Sequence, residues 1–292
     1  MNLPFTGCAT ALVTPMQSGG VDYDALARLI EMQCAAGVAA LVPCGTTGEA
    51  PTLSGEEKRR IIAFTVRRAG KIPVIAGCGS PSTAYAAEYA AIAESEGAAG
   101  VLAVTPYYNK ATEEGIFLHY QAIAERVKIP VIAYNVPSRT GLRISPAACR
   151  RLCQIPNLTG IKEASANVEY AAEVAAAGNG RLAVYSGCDG LIAPIYAVGG
   201  RGVVSVLSNI VPEAVVRLCA ACERGTVREA AELQQALQPL CRALFSEVNP
   251  IPVKTALSMM GVCSDEMRLP LCRMGRENRQ ALRAQMGKLG LV

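Results

Sequence analysis

The stretch that decides the fold is Gly160-Ile161-Lys162-Glu163-Ala164-Ser165. It reads as a short buried strand, 158–164, carrying one lysine near its C-terminal end. An ammonium group is costly to bury, and burial lowers a lysine pKa by up to several units. A neutral amine at neutral pH attacks carbonyl carbon, which is the entry to Schiff-base chemistry. Taken alone, the stretch also fits a lysine that pairs with Glu163 or snorkels out from the strand end. The surrounding sequence decides between these readings.

Working outward, similar short apolar, β-branched runs fall at 9–13, 40–43, 74–76, 101–104, 131–134, 182–186 and 203–206. With 160–163 they make a repeat of eight, spaced by about the length of a βαβ unit. Helical patterns lie between them, at 23–36, 55–69, 83–96, 112–127 and 166–176. Several runs are apolar throughout, as strands of a parallel sheet buried on both faces are. Eight such units closing on themselves predict an α/β fold, a (β/α)8 TIM barrel, and an open doubly wound sheet is the weaker alternative. After the eighth run only helical patterns follow, at 212–224, 227–247, 252–260 and 276–288. The barrel is therefore expected over 1–224 and a small C-terminal helical appendage over 225–292. Leu257, Met259 and Met260 on that appendage need a surface to pack against, either the barrel wall or a partner subunit.

Composition agrees. The 292 residues are 51% hydrophobic and 18% charged, enough for a large core and unlike a disordered chain. The net charge of +4 is scattered, leaving no nucleic-acid footprint. No apolar run approaches the roughly 18 to 20 residues that span a bilayer. No basic residue precedes Arg28, which argues against a secretory signal. Twelve cysteines in such a chain suit a reducing, cytoplasmic setting rather than disulfides. Cys219 and Cys222 form a C-x-x-C without a second pair or a nearby histidine, so no metal site is expected. The single histidine, His119, falls in a helical pattern and reads as solvent-facing or internally satisfied. A metal-dependent aldolase or a histidine triad would need more.

In a TIM barrel the catalytic groups sit at the C-terminal strand ends. There the sequence places Thr14, Gly45-Thr46-Thr47-Gly48-Glu49, Tyr107-Tyr108-Asn109, Tyr134 through Gly141, Lys162, Ser186-Gly187-Cys188-Asp189 and 205–209. Of the lysines, only Lys162 lies on a strand; Lys58, Lys71, Lys110, Lys128, Lys254 and Lys288 fall in helices or loops. Tyrosine and threonine hydroxyls both donate and accept, so Tyr134 and Thr46 can relay the protons of imine formation without histidine. Backbone N–H groups of the Gly-Thr-Thr-Gly turn suit a 2-oxo acid carboxylate. Arg139 offers a planar fork to a second carboxylate.

The motifs Gly45-Thr46-Thr47-Gly48-Glu49, Tyr134-Asn135-Val136-Pro137-Ser138-Arg139-Thr140-Gly141 and Gly160-Ile161-Lys162-Glu163-Ala164 resemble those of the dihydrodipicolinate synthase (4-hydroxy-tetrahydrodipicolinate synthase) family. That family belongs with N-acetylneuraminate lyase to the pyruvate-dependent class I aldolases, and the similarity spans essentially the whole chain. The resemblance implies a lyase of lysine and diaminopimelate biosynthesis that joins pyruvate to L-aspartate 4-semialdehyde through a Schiff base on Lys162. It implies a proton relay of Thr46, Tyr134 and Tyr108, the last reaching across from a neighbouring subunit. Thr47 matches the pyruvate-carboxylate contact, Arg139 the semialdehyde-carboxylate contact, and Gly187 and Val204 pocket-lining positions. A homotetramer built as a dimer of dimers is implied, with no cofactor, nucleic acid or membrane partner. A sister aldolase or lyase acting on a sugar acid or another 2-oxo acid would share most of this constellation, and Arg139 separates the two.

The resemblance also bears on regulation. In lysine-inhibited members the inhibitor sits at the dimer interface near the Tyr107 position. Histidines of that type align with Gly55 and Lys58, and its asparagine and glutamate with Pro81 and Tyr85. Each lost charge-assisted contact costs about 1.5 to 3 kcal/mol. We therefore expect weak or absent inhibition by L-lysine, and half-inhibition below the millimolar range would contradict this.

Overall fold

Strands apolar at every position are those buried on both faces, and all eight expected runs form strands. The computed structural model describes residues 4–292. The strands are β1 (Gly7–Ala11), β2 (Ala40–Val42), β3 (Ile75–Gly77), β4 (Gly100–Val104), β5 (Val131–Asn135), β6 (Leu158–Glu163), β7 (Ala183–Ser186) and β8 (Gly202–Ser205). They pair in parallel in the order β2-β1-β8-β7-β6-β5-β4-β3. The remaining seam, between β2 and β3, is bridged where Leu41 pairs with Val74 and where Gly77 N donates to Pro43 O at 2.9 Å. The sheet is a (β/α)8 TIM barrel, as the eightfold repeat predicts.

Alternation along the strands sorts the side chains. Ile161 packs outward among the helices. Tyr134, Tyr185 and Val204 join Phe5, Leu102 and Ile132 in a separate cluster inside the barrel. Tyr134, Lys162 and Tyr185 are register partners on β5, β6 and β7, so Lys162 shares their level.

The helices are α1 (Tyr23–Ala35), α2 (Gly55–Ala69), α3 (Thr83–Ser95), α4 (Glu113–Arg126), α5 (Pro137–Thr140), α6 (Pro146–Leu152), α7 (Val168–Gly178), α8 (Ile192–Ala197), α9 (Pro212–Glu223), α10 (Val227–Leu244), α11 (Ile251–Met259) and α12 (Arg276–Gly287). Their starts are legible. Ser54 and Glu57 form a reciprocal capping box on α2, and Asp22, Ser82, Thr112, Ser145 and Asn167 cap others with side-chain oxygens. Among the described residues, no helix is long and apolar enough to cross a membrane.

Three details differ from or sharpen the sequence reading. A ribbon of Met16–Gln17 against Gly20–Val21 follows β1, too short to show alternation. Leu257 is buried, and Met259 and Met260 pack partly buried against the chain's own main core. His119 is buried rather than solvent-facing, with Nδ1 bonded to Thr83 Oγ1 at 2.9 Å. Burial pushes its pKa down to about 4, which keeps the ring neutral and structural.

Candidate active site

The alternation that turns Ile161 outward turns Lys162 into the barrel, near the C-terminal end of β6. Lys162 is only 5% exposed, and its ammonium nitrogen lies 4.3 Å from the centroid of the Tyr134 ring. Burial lowers its pKa to about 8, helped by the Arg139 charge and opposed by Asp189 and Cys188. The exposed-lysine alternative, with snorkelling or a Glu163 pair, does not hold. Glu163 faces the other way, accepting from Asn135 Nδ2 at 2.6 Å and from Ser165 N.

Tyr134 is buried on the neighbouring strand. Burial raises its phenol pKa to about 12, with Arg139 and the Thr46 hydroxyl pulling the other way. The phenol therefore stays protonated and can hand a proton on and take it back. Gly187 lies directly against the lysine. A Cβ there would come 3.0 Å from Lys162 Cε and 2.6 Å from Ala164 Cβ, so any side chain would crowd the lysine. Val204 is buried in the same interior cluster as Tyr134.

The Gly45–Glu49 turn narrows one expectation. Gly48 N and Ala50 N donate to Gly45 O, and Glu49 N to Thr46 O. Those groups are consumed in holding the turn. Among the described residues, Gly45 N, Thr46 N and Thr47 N have no protein acceptor, so the expected anion cradle narrows to these three N–H groups rather than the whole turn. Gly48 lets the turn close on Leu12 and Thr14, since a Cβ would sit 3.2 Å from each. Thr14 Oγ1 fastens it by donating to Gly48 O at 2.7 Å.

Thr47 and Arg139 stand on different strand ends, and one residue that the sequence reading passed over ties them together. Asn249 Nδ2 donates to Thr47 Oγ1 at 3.0 Å, and Arg139 Nη2 donates to Asn249 O at 3.0 Å. Asn249 Oδ1 is buried and, among the described residues, has no hydrogen-bond partner. Asp189 also carries more than its place at a strand end suggested. Its buried carboxylate accepts from Ser205 Oγ and from Val206 N and Leu207 N, both at 3.0 Å. Its charge is the main one opposing the fall in the Lys162 pKa. No sequence spacing marks either role.

Of the three residues expected in the relay, Tyr108 stays outside. It is 94% exposed, in the left-handed region at φ 72°, and does not join Lys162 within its own chain. Its neighbour Tyr107 instead lines a crevice shared with Thr46, Tyr134 and Arg139.

Residues 4–289 match the model of the dihydrodipicolinate synthetase family. The 4-hydroxy-tetrahydrodipicolinate synthase of Oleidesulfovibrio alaskensis is 47% identical over 292 residues, covering 99% of this chain and 100% of the relative. That of Geobacter metallireducens is 46% identical, with 99% and 100% covered. The crystal structure of dihydrodipicolinate synthase from Aquifex aeolicus superposes with a TM-score of 0.97 at 43% identity, with 98% and 99% covered.

Proposed function

The chain belongs to the dihydrodipicolinate synthetase family, and from that premise we propose how its own residues carry the chemistry. The protein is a class I aldolase-type lyase that condenses pyruvate with L-aspartate 4-semialdehyde in the lysine and diaminopimelate pathway. The observation that carries the residue assignment is the buried amine of Lys162, with its pKa lowered to about 8, beside the Tyr134 phenol. In this reading the amine attacks C2 of pyruvate, and Tyr134 and Thr46 pass protons to the carbinolamine oxygen, which leaves as water. Loss of a methyl proton from the imine gives an enamine. Its carbon attacks the aldehyde of the semialdehyde, and the semialdehyde's amino group then attacks C2, displacing Lys162 as the ring closes. Thr47, with the free N–H groups of Thr46 and Thr47, takes the pyruvate carboxylate, while Arg139 takes that of the semialdehyde. Gly187 and Val204 shape the space around the imine carbon.

Arg139 separates this reading from a sister aldolase acting on a sugar acid. Arg139→Leu should reduce kcat/KM for the semialdehyde by about 10- to 150-fold, the size of one lost bond to a charged group, about 1.5 to 3 kcal/mol. Imine trapping with pyruvate should change far less. A parallel fall in both would give Arg139 another job.

The exposure of Tyr108 supports a relay completed by a second subunit, within a homotetramer built as a dimer of dimers in the cytoplasm. Activity should then fall on dilution in step with dissociation of the dimer seen by ultracentrifugation. A fully active monomer would remove Tyr108 from the relay.

A further inference from the structure

Of the four aspartates, Asp22, Asp24, Asp189 and Asp265, only Asp189 is buried. It stands two residues beyond Gly187, where a Cβ would come 3.0 Å from Lys162 Cε, so it belongs to the same strand end as the lysine. Both carboxylate oxygens are occupied from β8 and the turn after it. Oδ1 accepts from the Ser205 hydroxyl, and Oδ2 from Val206 N and Leu207 N. The Asp189 carbonyl accepts from Gln234 Nε2 on α10 at 3.0 Å. All of these partners are neutral. An asparagine would satisfy them too, its Oδ1 accepting from both N–H groups and its Nδ2 donating to Ser205 Oγ. The hydrogen bonds therefore do not require a charge, yet a buried carboxylate is costly unless a cation faces it. Among the described residues, neither Asp189 nor Lys162 has an ion-pair partner at contact distance. The thiols around Asp189 are neutral, since burial pushes Cys8 on β1 up to about 12, Cys188 up to about 11, and Cys241 on α10 upward as well. Burial raises the pKa of Asp189 itself, against the pull of its three donors and of the Lys162 charge. Around Lys162, Arg139 is a like charge and the Tyr134 phenol is protonated, which leaves Asp189 as the facing anion.

We propose that Asp189 is a positioning residue that acts through Lys162, its buried carboxylate serving as counter-charge to the cation the lysine carries, first as ammonium and then as the protonated imine of pyruvate. The inference rests on Lys162 being the nucleophile. Neutral amine, ketone and one proton give protonated imine and water, so in that step a cation appears opposite Asp189. Starting from ammonium, one cation merely replaces another. Asp189 therefore strengthens pyruvate capture above the pH at which the amine titrates and changes it little below. It also keeps more of the amine protonated, which slows attack at low pH.

The test follows borohydride-trapped imine across pH in the parent, in Asp189→Asn, and in Ser205→Ala, which removes a donor but keeps the charge. In Asp189→Asn the half-maximal pH of imine formation should move down from about 8 by about one unit. At low pH the variant should then form the imine several-fold faster than the parent. Well above the parent's half-maximal pH, the pyruvate concentration that gives half-maximal trapping should rise about tenfold, with little change at low pH. Ser205→Ala should keep the parent's half-maximal pH. A merely structural loss slows imine formation at every pH and cannot speed it at low pH. An unmoved half-maximal pH in Asp189→Asn overturns the proposal, as does an equal shift in Ser205→Ala. A parent adduct on some peptide other than that of Lys162 removes the nucleophile assignment, and the proposal with it. If Asp189→Asn does not fold, parent protein carrying carbon-13 in its aspartate carboxyls decides by infrared spectroscopy. A protonated aspartate band near neutral pH overturns the proposal, and its absence there supports an ionised Asp189.

Discussion

Replacing Lys162 by arginine should abolish turnover, a loss on the order of 10⁴-fold or more, the scale seen when a covalent nucleophile is removed from other enzymes. Arginine keeps the charge and roughly the length, but a guanidinium stays protonated and cannot attack a carbonyl. The parent differs because its environment frees the amine. With a pKa of about 8 rather than 10.5, about one amine in ten is neutral at pH 7, against about one in three thousand for an ordinary lysine. Only the neutral form attacks, so the rate of imine formation should rise with pH through about 8 and level off above it. Borohydride added with pyruvate should leave a reduced adduct on the peptide that contains Lys162, and none in Lys162→Arg. An adduct on another lysine in active enzyme would sink the assignment, and a rate still rising tenfold per unit at pH 10 would contradict the lowered pKa.

The residues that could be read from the sequence are those whose roles follow from their own strand. Lys162 was legible because an apolar strand states its burial, and because period-two alternation fixes which face it takes. Gly187, just after β7, and Val204, on β8, come from the family resemblance rather than from that pattern. Arg139 and Thr47 could be placed at the mouth but not joined, because the joint is Asn249, lying 110 residues from Arg139 and 202 from Thr47 along the chain. Contacts of that separation leave no periodicity behind. The same holds for the lysines assigned to helices. Lys58 and Lys254 both lie on helices, α2 and α11, as their local sequence predicts, yet both are buried. Neither helix announces this, because what buries them is the packing of distant turns. Tyr108 shows the reverse case: its motif names a role, but the single chain leaves it in solvent.

The second large effect concerns stability and comes from that hidden pairing. Lys254 and Glu49 have fully buried side chains, and Lys254 Nζ donates to Glu49 Oε1 at 2.6 Å. Glu49 Oε2 accepts from Arg268 N at 3.1 Å, so the carboxylate is satisfied on both sides. Glu49 itself sits in the left-handed region, at φ 55°, in the turn that carries Thr46 and Thr47. A non-glycine residue holds that conformation only where its surroundings impose it. The ion pair therefore fastens the Gly45–Glu49 turn to α11, the helix that begins just after Asn249. Lys254→Met leaves a buried carboxylate without its cation, and should destabilise the fold by about 3 to 5 kcal/mol in denaturant unfolding. Glu49→Gln combined with Lys254→Met removes the stranded charge and should recover most of that loss. Stability and function should then part company. The double variant folds, but its turn is no longer tied to α11, so its KM for pyruvate should stay raised. A Lys254→Met protein within about 1 kcal/mol of the parent would mean that the pair contributes no more than a surface salt bridge. A double variant as unstable as the single one would mean that packing around Lys254, rather than charge, sets the cost.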